Sequence, residues 1–207
     1  SMGLSGDKRD TFWGGGINSF ALTLATGSLG IDGGYDEAGI PAQTHDANGP
    51  RTAGRFTKTI LDFERLQYIN DRTNLLFSFS GQLASKNLDS AEKMYLGGAY
   101  GVRAYPQGEA SGDQGYQVTA EMRYQTKNPS LLLTAFIDYG HVSVNKNPWP
   151  SAGDNSRTLS GAGIGAIFSK RHDYTIRIDY AWKLGSEDAT SDDDKSGRLW
   201  LRGTQHF

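Results

Sequence analysis

Tyr174-Thr-Ile-Arg-Ile-Asp-Tyr-Ala-Trp-Lys-Leu184 alternates along its whole length. Successive side chains of an extended strand point to opposite sides, so Tyr174, Ile176, Ile178, Tyr180, Trp182 and Leu184 share one face and Thr175, Arg177, Asp179, Ala181 and Lys183 the other. One face wants apolar surroundings; the other wants water. Residues 116–124 repeat the pattern, with Tyr116, Val118, Ala120, Met122 and Tyr124 opposed to Gln117, Thr119, Glu121 and Arg123. Leu75, Phe77, Phe79 and Leu83 alternate with Ser78, Ser80 and Gln82 in the same way.

Working outward, the alternation predicts eight strands, near 17–26, 54–68, 73–84, 115–124, 131–139, 159–168, 174–184 and 198–207. The connections between them are alternately long (27–53, 85–114, 140–158, 185–197) and short (69–72, 125–130, 169–173). An up-and-down antiparallel sheet puts successive turns at opposite ends, so every long loop lies on one side, as in an outer-membrane barrel with short periplasmic turns. A soluble barrel or sandwich would turn the same apolar faces into a core. Aromatic placement argues for the membrane. Tyr116 with Tyr124, and Tyr174 with Trp182, bracket an apolar face by roughly 26 Å, or about 20 Å after tilting, near the apolar band height of about 25 Å. Tyr and Trp at those levels sit in the two membrane interfaces. The opposite faces carry Arg177, Asp179, Lys183, Glu121 and Arg123, which suit a wet lumen rather than a dry core.

Composition agrees. Of 207 residues 27 are glycine and 21% are charged, the mean hydropathy is -0.53, and the longest mostly apolar stretch, 131–137, is far short of the roughly 18 to 20 residues a spanning helix needs. No N-terminal signal peptide is visible. The net charge of -2 gives no electrostatic footprint for nucleic acid. The absence of cysteine excludes a disulfide scaffold and a thiolate zinc site. Ser1-Met2-Gly3 reads as a cloning remnant, leaving residues 4–207 as barrel. Leu199, Leu201, Gly203, Gln205 and Phe207 share a face of the last strand, and a terminal aromatic there, Phe207, reads as the signal for the barrel assembly machinery, with Gln205 standing where an apolar residue is expected.

The most specific text is Leu96-Gly-Gly-Ala-Tyr-Gly-Val-Arg-Ala-Tyr-Pro-Gln-Gly-Glu-Ala-Ser-Gly-Asp113, followed by a strand with Glu121 and Arg123. It resembles the two-partner secretion transporters, the haemolysin-activator or TpsB branch of the outer-membrane insertase and transporter superfamily. In that family the sixth extracellular loop folds back into the barrel and carries a Val-Arg-Gly-Tyr motif, here Val102, Arg103, Ala104 and Tyr105, with Ala104 in place of the glycine. A second family motif, Phe-x-Asp-x-Gly, stands here as Phe136, Asp138 and Gly140, which period two puts on one face. A loop hanging into a wide pore gains little from packing, and a guanidinium offers planar, bidentate bonding to a carboxylate. The resemblance therefore implies a lumen salt bridge from Arg103 to Asp138, with Glu121 on the neighbouring strand as a second partner.

What the resemblance implies for the whole is an all-β fold, a transmembrane antiparallel up-and-down β-barrel, of which this chain is the C-terminal eight strands of sixteen. The first half of the barrel and the periplasmic POTRA domains would lie upstream, and the open strand edges of such a fragment would invite self-association. The implied function is an outer-membrane pore, embedded in outer-membrane lipid, that passes a large unfolded exoprotein of haemolysin or adhesin type to the cell surface. The alternatives are an insertase of the same superfamily and a passive porin-like barrel. No enzyme, cofactor or metal is expected. His45, His141, His172 and His206 lack zinc-ligand spacing, Asp192, Asp193 and Asp194 lack a calcium-loop pattern and read as a solvated extracellular loop, and Glu121 with Asp138 reads as charge partners rather than an acid–base pair. Gly161, Gly163 and Gly165 precede no helix and so bind no phosphate; they leave room on the lumen face for the folded-back loop or let the strand bend. Pro148-Trp149-Pro150 stiffens its loop.

Overall fold

Nine strands hydrogen-bond in chain order in the computed structural model, which describes residues 1–170 and 173–205. They are β1 (Met2–Asp10), β2 (Gly16–Leu29), β3 (Gly54–Asn70), β4 (Thr73–Ala84), β7 (Gln114–Gln125), β8 (Leu131–Ser143), β9 (Ser156–Lys170), β10 (Tyr174–Lys183) and β11 (Gly197–Gln205). Every neighbouring pair is antiparallel. The short strands β5 (Met94–Tyr95) and β6 (Ser111–Gly112) form a separate ladder within the β4–β7 connection, and the helix α1 (Ala42–Asn48) lies in the β2–β3 connection. The sheet is open among the described residues, β1 and β11 being its two edges.

Eight strands were expected in the sheet, and among the described residues it has nine. The addition is β1, which pairs with β2 from Met2↔Leu24 to Asp10↔Gly16 and includes Met2 and Gly3, two residues read above as a cloning remnant. Only Met2 and Leu4 are apolar in β1, so its alternation is too faint to see without its partner. The turn after it is fastened instead by polar groups. The buried Gln67 side-chain amide donates to the carbonyls of Trp13 and Gly15, both at 2.9 Å, and Asp10 pairs with Arg65 at 2.7 Å.

The faces sort as the alternation demands, but inside out relative to a soluble protein. Ile137 is 57% exposed and Ile178 46%, whereas Asp138 and Asp179 on the opposite faces are 1% and 0% exposed. A soluble barrel or sandwich would bury the isoleucines; here they form the outer surface, the arrangement hydrocarbon requires. Outward aromatics gather towards both ends of the strands. Tyr116 has Phe79 at 6.3 Å and Tyr139 at 6.1 Å near the long loops, and Phe168 lies 6.2 Å from Tyr174 near the short turns. The apolar cluster that is buried, including Leu96, Val102, Tyr105, Phe136, Leu159 and Ala181, sits in the concavity of the sheet, where the 96–113 segment packs on β8, β9 and β10.

Replacing Ile178 with Arg on the outer face should cost about 2–4 kcal/mol of barrel stability if it lies near the bilayer midplane, while Ser78→Arg on the inner face should cost little. Refolding of the full-length barrel into lipid vesicles against urea measures both; equal costs would contradict the assignment of faces.

Candidate functional site

The 96–113 segment turns into the concavity as a self-bonded hairpin. β5 and β6 close its base through Met94↔Gly112 and Tyr95↔Ser111. Above them the Gly97 amide donates to the Glu109 carbonyl at 3.0 Å, Val102 to Leu96 at 2.7 Å and Tyr105 to Val102 at 3.1 Å. Glycine is required where the hairpin doubles back, since a Cβ on Gly101 would lie 1.9 Å from the Leu96 carbonyl oxygen. Ala104, by contrast, has no positive φ. The tip does not use the left-handed backbone that the motif glycine would permit, which is why alanine is accommodated.

Arg103 lies at this tip and is 4% exposed. Its Nε and Nη2 donate to Oδ2 and Oδ1 of Asp138, both at 2.9 Å, and its backbone N–H reaches Oδ2 at 3.1 Å. Its Nη1 donates to Glu121 Oε2 at 2.9 Å and lies 3.7 Å from Asp179 Oδ1. The guanidinium carbon stands 3.2 Å from the centroid of the Phe136 ring, so the fork is backed by an aromatic face. Burial works against its charge, but the bonds to Asp138 and Glu121 more than offset it, and the Arg103 pKa rises above the ordinary arginine value. On the backbone side, Trp200 of β11 donates through Nε1 to the Arg103 carbonyl at 2.7 Å.

The structure thus brings Arg103, Asp138, Glu121 and Phe136 together. Val102 and Tyr105 are fully buried beside them. Tyr105 Oη donates to the Glu187 carbonyl at 3.0 Å, and burial, then the charge of Glu187, pushes its pKa up to about 12. Gly140 gives space to the loop, because a Cβ there would lie 2.8 Å from Leu96 Cδ2. Phe207 lies outside the described residues, as do His172 and His206.

Sequence reasoning left out the outer members of the network. Glu121 also pairs with Arg123 at 2.9 Å and with Arg177, while Asp179 pairs with Arg177 and Arg202, each at 2.7 Å. Period two places Arg177 and Asp179 on the inner face, but says nothing of a partner such as Glu121, three strands away. The missing link is β9. A Cβ on Gly163 would lie 2.3 Å from the Phe136 ring, and one on Gly165 2.3 Å from Asp179 Oδ1, so these glycines clear the wall between β8 and β10. A Cβ on Gly161 would lie 2.6 Å from that of Ala104, which makes this glycine the seat of the loop tip. The acidic run is exposed, as expected of a solvated loop, with Asp192 paired to Arg198 at 2.9 Å and Asp194 to Lys183.

Residues 5–168 match the family model of haemolysin secretion/activation protein ShlB/FhaC/HecB. The heme/hemopexin transporter protein HuxB of Haemophilus influenzae is 35% identical in strain 86-028NP and 33% in strain Rd, over 133 residues in each case. That alignment takes in 62% of this chain and 23% of HuxB, so the chain matches about a quarter of its relative's length. Among solved structures, CdiB from Escherichia coli superposes with a TM-score of 0.68 at 19% identity, over 91% of this chain and 33% of CdiB, a likeness of fold.

Gly161→Ala should push the loop tip off β9, and Ala104→Gly in the same protein should restore it. A double-mutant cycle on unfolding of the full-length barrel should show a coupling of about 0.5–3 kcal/mol; strict additivity would mean that the two positions do not meet.

Proposed function

The chain belongs to the haemolysin secretion/activation protein family of ShlB, FhaC and HecB, and from that premise we propose that the protein it forms part of is the outer-membrane pore of a two-partner secretion system. Its sheet is a segment of an outer-membrane β-barrel. The substrate is a large exoprotein of haemolysin or adhesin type, which crosses unfolded and reaches the cell surface. The reading places residues 4–207 in the C-terminal part of the barrel, with POTRA domains upstream to recognise the exoprotein. Folding of the exoprotein outside supplies the drive, without ATP, cofactor or a catalytic step.

The observation that carries this reading is a loop held inside a polar concavity by one forked arginine. The loop also leaves a 470 Å³ space beside it, lined by polar and charged groups including Asp62, Glu64, Ser78 and Arg177. In the proposed mechanism the wall residues Asp138 and Glu121 hold the loop through Arg103, and the loop yields as the polypeptide passes. Val102 and Tyr105 seat the tip in the apolar cluster, while Phe136 supports the guanidinium and Gly140 admits the loop.

Removing one partner of a buried ion pair costs about 3–5 kcal/mol, because the other charge is left buried and uncompensated. Arg103→Ala should therefore free the loop, and secretion of the exoprotein should fall while heat-modifiable barrel in the outer membrane stays near the wild-type amount. Secretion at wild-type level would overturn the conduit role. Loss of inserted barrel in step with secretion would assign Arg103 to assembly instead.

A further inference from the structure

Arg103 is not the inward loop's sole fastening. Glu109 lies on the limb returning to β6, and its side chain is fully buried. One oxygen accepts from the Thr190 hydroxyl at 2.8 Å and from Arg157 Nη2 of β9 at 3.0 Å. The other accepts from the Thr190 and Ser191 amides, both at 2.9 Å, and from the Ser191 hydroxyl at 2.7 Å. Burial alone would push this carboxyl up, but the bonds from Ser191 and Thr190 more than offset it and hold it at about 2. Glu109 is therefore ionised throughout the physiological range.

Its donors identify what is fastened to what. Thr190 and Ser191 belong to the 184–196 loop, which joins β10 to β11 at the long-loop end of the sheet. The same loop receives the Tyr105 hydroxyl on its Glu187 carbonyl, is tied to β9 by the Arg157–Glu187 pair, and packs Ala189 against the buried cluster around Leu96 and Val102. The inward loop is thus gripped at two levels: at its tip by wall strands, and on its returning limb by a second loop. The first grip is a charged fork to rigid strands. The second is mostly amide and hydroxyl donors on a connecting segment, which can exchange for water without breaking any strand pairing.

We propose that Glu109 is an outer latch, fastening the inward loop to the 184–196 loop across the long-loop end, and that this latch must open along with the Arg103 fork for the conduit to pass a polypeptide. The proposal rests on the secretion-pore reading for its transport consequence. Its closure consequence stands apart from any cargo.

The test uses the full-length transporter. This chain has no cysteine, so with any cysteine elsewhere in the transporter replaced by serine, Glu109→Cys with Ser191→Cys supplies one defined pair, closed by a short, reductant-cleavable bis-thiol linker. Linking is expected to abolish exoprotein secretion, and cleavage is expected to return it to the level the same protein showed before linking. Undiminished secretion by fully linked transporter would overturn the latch. In a second arm, Glu109→Gln keeps the side chain's size but removes its charge and one of its two acceptor oxygens. Purified into planar bilayers, this variant should open more often than wild type, and an unchanged open probability would overturn the closure role. A protein that opens more readily as Glu109→Gln, yet secretes no partner in any form, would keep the latch and refute the secretion-pore reading.

Discussion

The fork from Arg103 to Asp138 is the contact on which the interior depends, because it fastens the tip of a glycine-rich hairpin to a polar wall by a bidentate, directional bond. The buried network counts four guanidinium groups, Arg103, Arg123, Arg177 and Arg202, against three carboxylates, Glu121, Asp138 and Asp179. Without Arg103 the wall would hold three of each sign. Glu121 would keep Arg123 and Arg177, and Asp179 would keep Arg177 and Arg202. Asp138 alone would lose its cation and retain the Thr119 hydroxyl at 2.9 Å. The cost of withdrawing the loop is therefore concentrated at one carboxylate. A buried pair that roughly balances its own desolvation contributes position more than stability, and position is what a movable loop requires.

Steric relief decides where that fork can form. On β9 the inner face reads Gly161, Gly163, Gly165, and each absence of a side chain is filled from elsewhere, by the Ala104 methyl, the Phe136 ring and the Asp179 carboxylate respectively. A wall with side chains at those positions would hold the loop tip off the strand and separate β8 from β10. Ala104 fits the same logic. Its backbone avoids positive φ, and the room its methyl needs comes from the strand opposite rather than from its own conformation.

How much of this is legible in the sequence follows from which residues face which solvent. Hydrocarbon on one side and water on the other force period two, so strands such as β7 and β10 declare themselves, and their charged faces can be assigned to the lumen. β1 does not, because Met2 and Leu4 are too little apolar surface to mark a face. The grouping of Arg103 with Asp138 and Glu121 is legible because a family pattern fixes their spacing. Asp179, Arg202 and Trp200 are not, since their reach to the loop depends on three glycines and on strand tilt. Glu109 is hidden for a different reason: its main partners lie 81 and 82 residues away in a loop with no periodicity to read.

The hairpin's own bonding bears on how it could move. Several of its amides are paired inside the loop, Gly97 with Glu109, Val102 with Leu96 and Tyr105 with Val102, so displacement costs backbone partners mainly at Arg103, whose N–H is held by Asp138 and whose carbonyl is held by Trp200. The base is a ladder of two residue pairs, whereas the wall strands it leaves behind are paired along most of their length. A rigid wall and a short-stemmed, self-satisfied hairpin confine any rearrangement to the hairpin. What then resists motion is the apolar contact of Leu96, Val102 and Tyr105 and the polar grips at Arg103 and Glu109. The apolar part is non-directional and permits sliding; the polar grips fix register, so they set whether the hairpin is in place or released.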